Sequence, residues 1–250
     1  KIEKSTENMF KALNIPIKTK KIFNYDFITL SRPKLIKKFD FNIPGDISSA
    51  SFFIILTLLS KNSRIVLKNI NINETRIGLI KILNMMGAKI KFKNIKVING
   101  EKCSDIEVRS VKKLKGIRCP TNLNSAAIDE FMIIFLAAAK ANGISSFKDL
   151  SELNQKESPR LKIAARILKN MGVKLKYDHS SIKIYGNPNL ELNKKIVIRN
   201  FLKDHRIFMM SVISALSFGG IWKIYDPISV KTSFPSFFKK IKEIGGIIKW

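Results

Sequence analysis

The chain has 250 residues, of which 45% are hydrophobic, and it carries a formal net charge of +27. This length and apolar content exclude a disordered tail and allow one or two domains with a substantial core. The longest apolar runs, 52–59, 131–139 and 207–218, are shorter than the roughly 18 residues of a bilayer-spanning helix, so no membrane association is predicted.

The positive charge is spread along the whole chain, and no RNP-like motif, zinc finger or basic tail accompanies it. A nucleic-acid partner is therefore not predicted, although so positive a field should concentrate anionic substrates. The cysteines, Cys103 and Cys119, are too far apart for a metal knuckle or redox pair, and the histidines are His179 and His205 alone. No metal or cofactor is expected, and free thiols indicate a reducing, cytoplasmic location.

The first residues predict the end of one structural unit. Residues 6–13 have a helical pattern, and Ile15-Pro16-Ile17 begins an extended stretch. Pro44-Gly45 is a plausible crossover into the next unit.

Three later segments share one layout. In each, an acidic residue opens an apolar helical run, a short β-like stretch follows, and a second helix ends on a glycine that can adopt the left-handed cap. The helical runs are opened by Asp46, by Asp129-Glu130 and by Asp204; the β-like stretches are 64–67, 144–147 and 221–224; the glycines are Gly87, Gly172 and Gly245. Alternating strands are predicted at 89–92 and 174–177, and a third begins at 247–250.

The intervals between these segments exceed the roughly 20–50 residues of a solenoid repeat. The pattern therefore predicts an α/β fold in which three similar units, each helix–strand–helix–strand with further strand after it, pack around a shared core.

Two charge clusters lie where helical runs begin, at residues 156–160 (Lys-Glu-Ser-Pro-Arg) and 204–206 (Asp-His-Arg). The N-terminus of a helix attracts anions, because its free N–H groups and its dipole both favour negative charge. An arginine and a carboxylate at each position suit a site that binds anionic substrates and moves protons. Ordinary surface ion pairs are the alternative interpretation.

Several blocks of sequence occur together in a specific order. They are 44–50 (Pro-Gly-Asp-Ile-Ser-Ser-Ala), 73–79 (Asn-Glu-Thr-Arg-Ile-Gly-Leu), 128–130 (Ile-Asp-Glu), 156–158, 204–206 and 232–235 (Thr-Ser-Phe-Pro). Through these blocks nearly the whole chain resembles the C-terminal part of the EPSP synthase family, the 3-phosphoshikimate 1-carboxyvinyltransferases. The resemblance implies a two-domain inside-out α/β barrel of the enolpyruvyltransferase type, built from repeated βαβαββ units.

The resemblance also implies a domain division. Residues 1–43 would close the upper domain, and 44–250 would form most of the lower domain, in units of about 44–115, 116–193 and 194–250. The chain is expected to be a fragment that lacks the N-terminal half of the same enzyme, which would be its partner. The intact enzyme is expected to be a monomer.

Family members transfer the enolpyruvyl group of phosphoenolpyruvate to the 5-hydroxyl of shikimate 3-phosphate and release phosphate. By resemblance, Asp129 is the base near the shikimate hydroxyl, Glu157 is the second acid/base carboxylate, and Lys156 is the active-site lysine. Arg160, Arg206, His205 and Lys231 would bind substrate, with a one-residue ambiguity in the alignment of Lys231. A helix N-cap is the alternative interpretation of Asp129 and the preferred one of Asp204.

The chain departs from the family pattern in three places. Pro159 replaces an aspartate, although proline suits the first helical turn after a serine cap at Ser158. Asn154-Gln155 replaces Arg-Val. Residues 2–7 lack the serine and arginine that help to hold shikimate phosphate, and Glu3 would repel a phosphate there.

Two other functions stay open. UDP-N-acetylglucosamine 1-carboxyvinyltransferase shares the fold and the donor, but its family lacks the 156–158 and 204–206 blocks in this form. A non-catalytic remnant or binding module would keep the fold without the reaction. The sequence upstream of Lys1 discriminates between an enzyme and a remnant.

Overall fold

The computed structural model describes residues 5–23, 25–36, 38–40 and 42–249. The first elements are the helix and the extended stretch that the patterns of 6–13 and 15–17 predicted, and the extended stretch forms the first strand of an antiparallel hairpin. They are α1 (Ser5–Ala12), β1 (Ile17–Ile22) and β2 (Tyr25–Leu30).

Three α/β units follow, and the first two share every main element. The first contains α2 (Ile47–Leu59), β3 (Arg64–Asn71), α3 (Gly78–Met85), β4 (Lys89–Ile98) and β5 (Glu101–Arg109). The second contains a short α4 (Asn124–Ala127), then α5 (Phe131–Ala139), β6 (Gly143–Phe147), α6 (Arg160–Asn170), β7 (Lys174–Tyr177) and β8 (Ile182–Gly186). The third contains β9 (Leu192–Ile198), α7 (His205–Phe218), β10 (Gly219–Ile224) and α8 (Phe237–Glu243).

Strand pairing shows the same repeat. The first two sheets have the equivalent antiparallel orders β3-β5-β4 and β6-β8-β7. In each unit the chain that enters the first helix also pairs in parallel with the strand after that helix. These pairings are Gly45 with Ile70, Lys115 with Asn142, Arg118 with Ser146, and β9 with β10. The predicted βαβαββ unit is therefore confirmed in the first two units.

The predicted glycine caps are present in all three units. Gly87, Gly172 and Gly245 follow α3, α6 and α8 with φ of +88°, +86° and +90°. After each glycine, the next N–H donates to a carbonyl five residues back, as in the Schellman motif: Ala88 to Leu83, Val173 to Leu168 and Gly246 to Ile241.

The third unit ends differently from the prediction. Residues 247–249 do not form a strand, and Trp250 lies outside the described residues. In the described part of the chain, no hairpin follows α8 to pair with β10. A short alternating run has no ladder to join without such a partner, so its pattern alone does not make a strand.

The centre of the core is made by α2, α5 and α7, which pack against one another. Nearly every residue of these helices is buried, and α5 is buried along its full length. A helix that is apolar on every side is stable only inside a core, which accounts for the long apolar runs. Each of these helices begins at the same edge of the core.

No single described helix is long and apolar enough to cross a bilayer. One bent pair, Thr121–Ala127 with Phe131–Ala139, meets the length and composition criteria together, but its parts lie at 119°. The second part is fully buried in the core.

The segment predicted to close an upper domain exposes many apolar side chains. Phe23 is 92% exposed, Tyr25 73% and Ile43 80%. It contacts the first unit through α1, where the Asn8 side chain donates a hydrogen bond to Glu101. The domain division at 43/44 stays a prediction.

Candidate active site

The N-terminal ends of α2 and α7 are capped by the aspartates that opened two of the predicted helices. The Asp46 carboxylate accepts a hydrogen bond from the Ser49 N–H at 2.8 Å. The Asp204 carboxylate accepts from the N–H groups of Arg206 at 2.9 Å and Ile207 at 3.4 Å. Both caps satisfy backbone donors that would otherwise lack partners.

Asp129 and Glu130 directly precede α5, as predicted, but the Asp129 carboxylate does not cap that helix, so the N-cap interpretation of Asp129 is wrong. The α5 helix begins at Phe131, and its cap position is Glu130, which makes no side-chain cap bond. The Asp129 carboxylate instead faces three cations: Arg160 Nη1 at 3.2 Å, Arg206 Nη2 at 3.7 Å and Lys156 Nζ at 3.9 Å. Arg160 and Arg206 begin other helices and Lys156 lies in the turn before α6, so the carboxylate is paired with distant segments rather than with its own helix.

Arg160, the first residue of α6, joins three carboxylates, although its side chain is only 1% exposed. Its Nε donates to Asp204 at 2.9 Å, its Nη1 donates to Asp129 at 3.2 Å, and its Nη2 donates to Glu157. A buried guanidinium must be paired in this way, because an unpaired charge in the core is very costly. Arg160 thereby holds together segments that are far apart in sequence.

The start of α6 differs from the prediction in one detail. Pro159 occupies the cap position of the helix, and its carbonyl accepts from Ile163. Ser158 does not cap the helix; its hydroxyl donates to Asp204 at 2.8 Å. The buried carboxylate of α7 is a stronger acceptor than any partner available to Ser158 in its own turn.

Lys156 and Glu157 lie on the open side of the cluster. The Glu157 side chain is 55% exposed, and that of Lys156 is 26% exposed. Lys156 also pairs with Glu152 at 2.9 Å. Both side chains can therefore reach a molecule that enters from solvent.

Two ionisable groups on α7 are shifted by their surroundings. Burial opposes ionisation of Asp204, but its hydrogen bond to Arg160, the charge of Arg160 and its other donors leave its pKa below the ordinary value. Burial, reinforced by the charge of Arg206, lowers the pKa of His205, so its imidazole is neutral at neutral pH. His205 and Arg206 line a small cleft of about 50 Å³, together with Asp46, Ser233 and Phe234.

Lys231 is the one predicted site residue that the structure does not bring into the cluster. It is exposed and follows a 3₁₀ turn at Pro227–Val230. Among the described residues, no ion pair or hydrogen bond joins its side chain to the other predicted site residues. Ser233, two positions later, does line the cleft. At the other end of the chain, residues 2–4 of the altered segment lie outside the described residues.

Sequence reasoning missed a second layer behind Asp129. The Glu130 side chain is buried and accepts a hydrogen bond from Ser48, and Ser48 accepts one from Arg76 at 2.9 Å. These residues fall within the quoted sequence blocks, but nothing in the blocks indicates that they meet. The only local signal was the position of Glu130 next to Asp129.

Comparison with known sequences identifies one family. A family model described as EPSP synthase (3-phosphoshikimate 1-carboxyvinyltransferase) matches residues 3–241. The 3-phosphoshikimate 1-carboxyvinyltransferase of Ruthia magnifica is 38% identical over 240 residues, which are 96% of this chain and 53% of the relative. That of Petrotoga mobilis is 36% identical over 242 residues, which are 96% of this chain and 54% of the relative. The chain thus spans about half the length of the curated relatives it matches.

Comparison with solved structures supports the same family. An EPSP synthase from Acinetobacter baumannii aligns with 100% of this chain and 56% of its own, with a TM-score of 0.90 and 32% identity. The enolpyruvyl transferase NikO from Streptomyces tendae has a TM-score of 0.72 at 12% identity, which supports the fold alone. The predicted inside-out α/β fold is confirmed, and the chain belongs to the EPSP synthase family.

Proposed function

We propose that the protein containing this chain transfers the enolpyruvyl group of phosphoenolpyruvate to the 5-hydroxyl of shikimate 3-phosphate and releases phosphate. This reaction belongs to the shikimate pathway to aromatic amino acids. The observation that carries the proposal is the convergence of Glu157, Lys156 and Arg206 on the ion pair of Asp129 and Arg160. Such a cluster supplies both proton-transfer groups and cations for anionic substrates.

The proposed chemistry needs two proton transfers. One group must take the proton of the attacking hydroxyl, and another must protonate the methylene carbon of phosphoenolpyruvate; elimination then reverses both. We assign the base to Asp129, which is partly buried among cations, and the second acid/base group to Glu157. Lys156, 3.9 Å from Asp129, provides the remaining positive charge at the open side.

Arg160, Arg206 and His205 are assigned to phosphoenolpyruvate binding; Lys231, which lies outside the cluster, is kept as a further substrate-binding residue by resemblance to the family alone. Each of the three nitrogens of Arg160 already donates to a carboxylate here, so an anionic substrate would compete with these carboxylates for the guanidinium. The exposed Glu157 is the contact that can yield, whereas Asp204 is fully buried. Displacement by an anionic substrate would free Glu157 for proton transfer.

We also propose the substrates, the partner segment and the cellular location of this protein. Phosphoenolpyruvate and shikimate 3-phosphate are the substrates, and an N-terminal half of the same enzyme supplies the opposite wall of the site. We expect a monomeric enzyme that acts in the cytoplasm. These expectations rest on family membership, because the chain spans only about half of its relatives.

The test compares the 250-residue chain with the same chain joined to the N-terminal half of the Petrotoga mobilis relative. The relative's own halves, joined in the same way, are the positive control. We expect phosphate release from phosphoenolpyruvate only with the joined protein, and only when shikimate 3-phosphate is the acceptor. Release by the isolated chain would contradict the assignment of substrate ligands to the other half.

Two further outcomes would favour the alternatives. Release with UDP-N-acetylglucosamine as acceptor would favour the other carboxyvinyltransferase. A joined protein that folds and binds shikimate 3-phosphate, yet releases no phosphate, would identify a non-catalytic remnant.

A further inference from the structure

A second buried carboxylate lies directly behind Asp129. Glu130 is 3% exposed and sits where α5 begins, between the N-terminal ends of α2 and α7. Its Oε1 accepts a hydrogen bond from the Ser48 hydroxyl, near the start of α2. Ser48 in turn accepts from Arg76 Nη2 at 2.9 Å, and Arg76 lies 3.5 Å from Asp46. Glu130 is therefore fixed from the side of the first unit.

On its other side, Glu130 faces the guanidinium of Arg206. Arg206 Nη1 lies 3.8 Å from Glu130 Oε1 and donates to the backbone carbonyl of Asp129 at 3.2 Å. Arg206 Nη2 lies 3.7 Å from the Asp129 carboxylate. The consecutive residues Asp129 and Glu130 thus both contact the Arg206 guanidinium. The Arg206 side chain is only 15% exposed.

We propose that Glu130, fixed by Ser48, is a positioning residue that holds the Arg206 guanidinium in place at the N-terminal end of α7. A long, flexible arginine binds an anion well only if its rotamer is fixed by neighbours that do not touch the ligand. The part of this inference that concerns substrate rests on the proposed function. The part that concerns Arg206 can be tested on the chain alone.

The ionisation of Glu130 supports its role in positioning Arg206. Burial, with the nearby charge of Asp129, raises the pKa of Glu130 to about 7 against the lowering effects of Ser48, Arg206 and Arg76. An ionised Glu130 attracts Arg206, and a protonated one releases it toward Asp129. The charged and titratable groups around this carboxyl are Asp46 and Arg76 from the first unit, Asp129 from its own segment, and His205 and Arg206 from α7.

The first experiment is a pH titration of the chain by NMR, with ¹³C-labelled glutamate carboxyls and ¹⁵N-labelled arginine. Arg206→Lys and Glu130→Gln assign the two signals. In the unchanged chain, the Arg206 Nε signal should follow the titration of Glu130, with a midpoint at a pH of about 7. In Glu130→Gln the shift should disappear. In Ser48→Ala the Glu130 midpoint should rise, because a hydrogen bond to the ionised form is lost.

Glu101→Gln is the matched control. Glu101 is also a buried carboxylate, at 7% exposure, but it accepts hydrogen bonds from Asn8 and Asn71, away from the cluster. Its variant should leave the Arg206 titration unchanged. If Glu130→Gln keeps the Arg206 shift, the pH response belongs to His205 and the proposal is overturned.

The second experiment uses the joined protein. Glu130→Gln should raise the KM for phosphoenolpyruvate by about tenfold to a hundredfold, by analogy with the loss of residues that orient metal ligands, while kcat changes much less. An unchanged KM would overturn the proposed effect on substrate. If the unchanged joined protein has no activity, the proposed function fails, yet the NMR result still decides whether Glu130 positions Arg206.

Discussion

Exposure separates the three carboxylates that share Arg160. The side chain of Asp204 is 0% exposed, that of Asp129 27% and that of Glu157 55%. A fully buried acid bonded to arginine and to backbone N–H groups stabilises the fold, and an exposed acid beside the same arginine is available to substrate. The buried Asp204 therefore has a structural role, and the exposed Glu157 is the carboxylate to which we assign proton transfer in the proposed reaction.

This difference leads to a prediction for the joined protein. Glu157→Gln should lower kcat by about two to four orders of magnitude, since the amide keeps the shape but cannot transfer a proton. Arg206→Ala should mainly raise the KM for phosphoenolpyruvate, because it removes a charge that we propose binds the donor. Steady-state kinetics with each substrate varied would separate the two effects. Near-normal turnover by Glu157→Gln would show that Glu157 is an ordinary surface ion pair.

At the scale of elements, the structure gathers the N-terminal ends of three apolar helices. The ends of α2 and α7 are capped by aspartates in different surroundings. Asp46 is 52% exposed and lies 3.5 Å from Arg76, whereas Asp204 is fully buried and pairs with Arg160 at 2.9 Å. An aspartate before an apolar run thus marks both caps, but Asp46 mainly stabilises its own helix, whereas Asp204 also neutralises the buried charge of Arg160.

Replacing each aspartate by asparagine separates these contributions, because asparagine caps helices about as well as aspartate. Asp204→Asn should lower the free energy of unfolding by about 3–5 kcal/mol, since it leaves Arg160 buried without one of its partners. Asp46→Asn should cost less than about 1 kcal/mol. Urea unfolding at neutral pH would measure both, and equal losses would contradict the structural part assigned to Asp204.

The pH dependence follows from the lowered pKa of Asp204. A lowered folded-state pKa stabilises the fold above the unfolded value of about 3.9, and the benefit is lost as the pH falls through the folded-state pKa. The stability difference between the unchanged chain and Asp204→Asn should therefore be constant from neutral pH down to about pH 5 and shrink below pH 4.

At the scale of the whole molecule, the β1–β2 hairpin is the least supported part. Among the described residues its strands pair only with each other, and Tyr25 and Phe27 are 73% and 52% exposed. An isolated two-stranded hairpin is marginally stable in water. Its apolar surface suits a segment that packs against another domain, as the predicted division at 43/44 requires.

Hydrogen exchange would test this division. In the isolated chain, the amides of β1 and β2 should exchange quickly, and in the joined protein they should be protected at least about tenfold more. The amides of α5, buried in both proteins, provide the internal control. Equal protection of the hairpin in both proteins would contradict the assignment of residues 1–43 to an upper domain.

Local patterns in the sequence determined much of the fold. Apolar runs marked the central helices, Asp46 and Asp204 marked two helix starts, and the recurring glycines marked three helix ends. These features depend on backbone dihedrals and on hydrogen bonds between residues a few positions apart, so a short stretch of sequence contains the information for them. Their recurrence also predicted the three units.

Only the tertiary structure decided how the charged side chains pair. Asp129 has the local pattern of a helix cap, yet its carboxylate binds cations that arrive from α6 and α7. Lys231 stays outside the cluster, and Glu130 meets Ser48 across 82 positions of sequence. Ion pairs and buried hydrogen bonds of this kind depend on where separate helices begin after they have packed, and that position is a property of the whole core rather than of any segment.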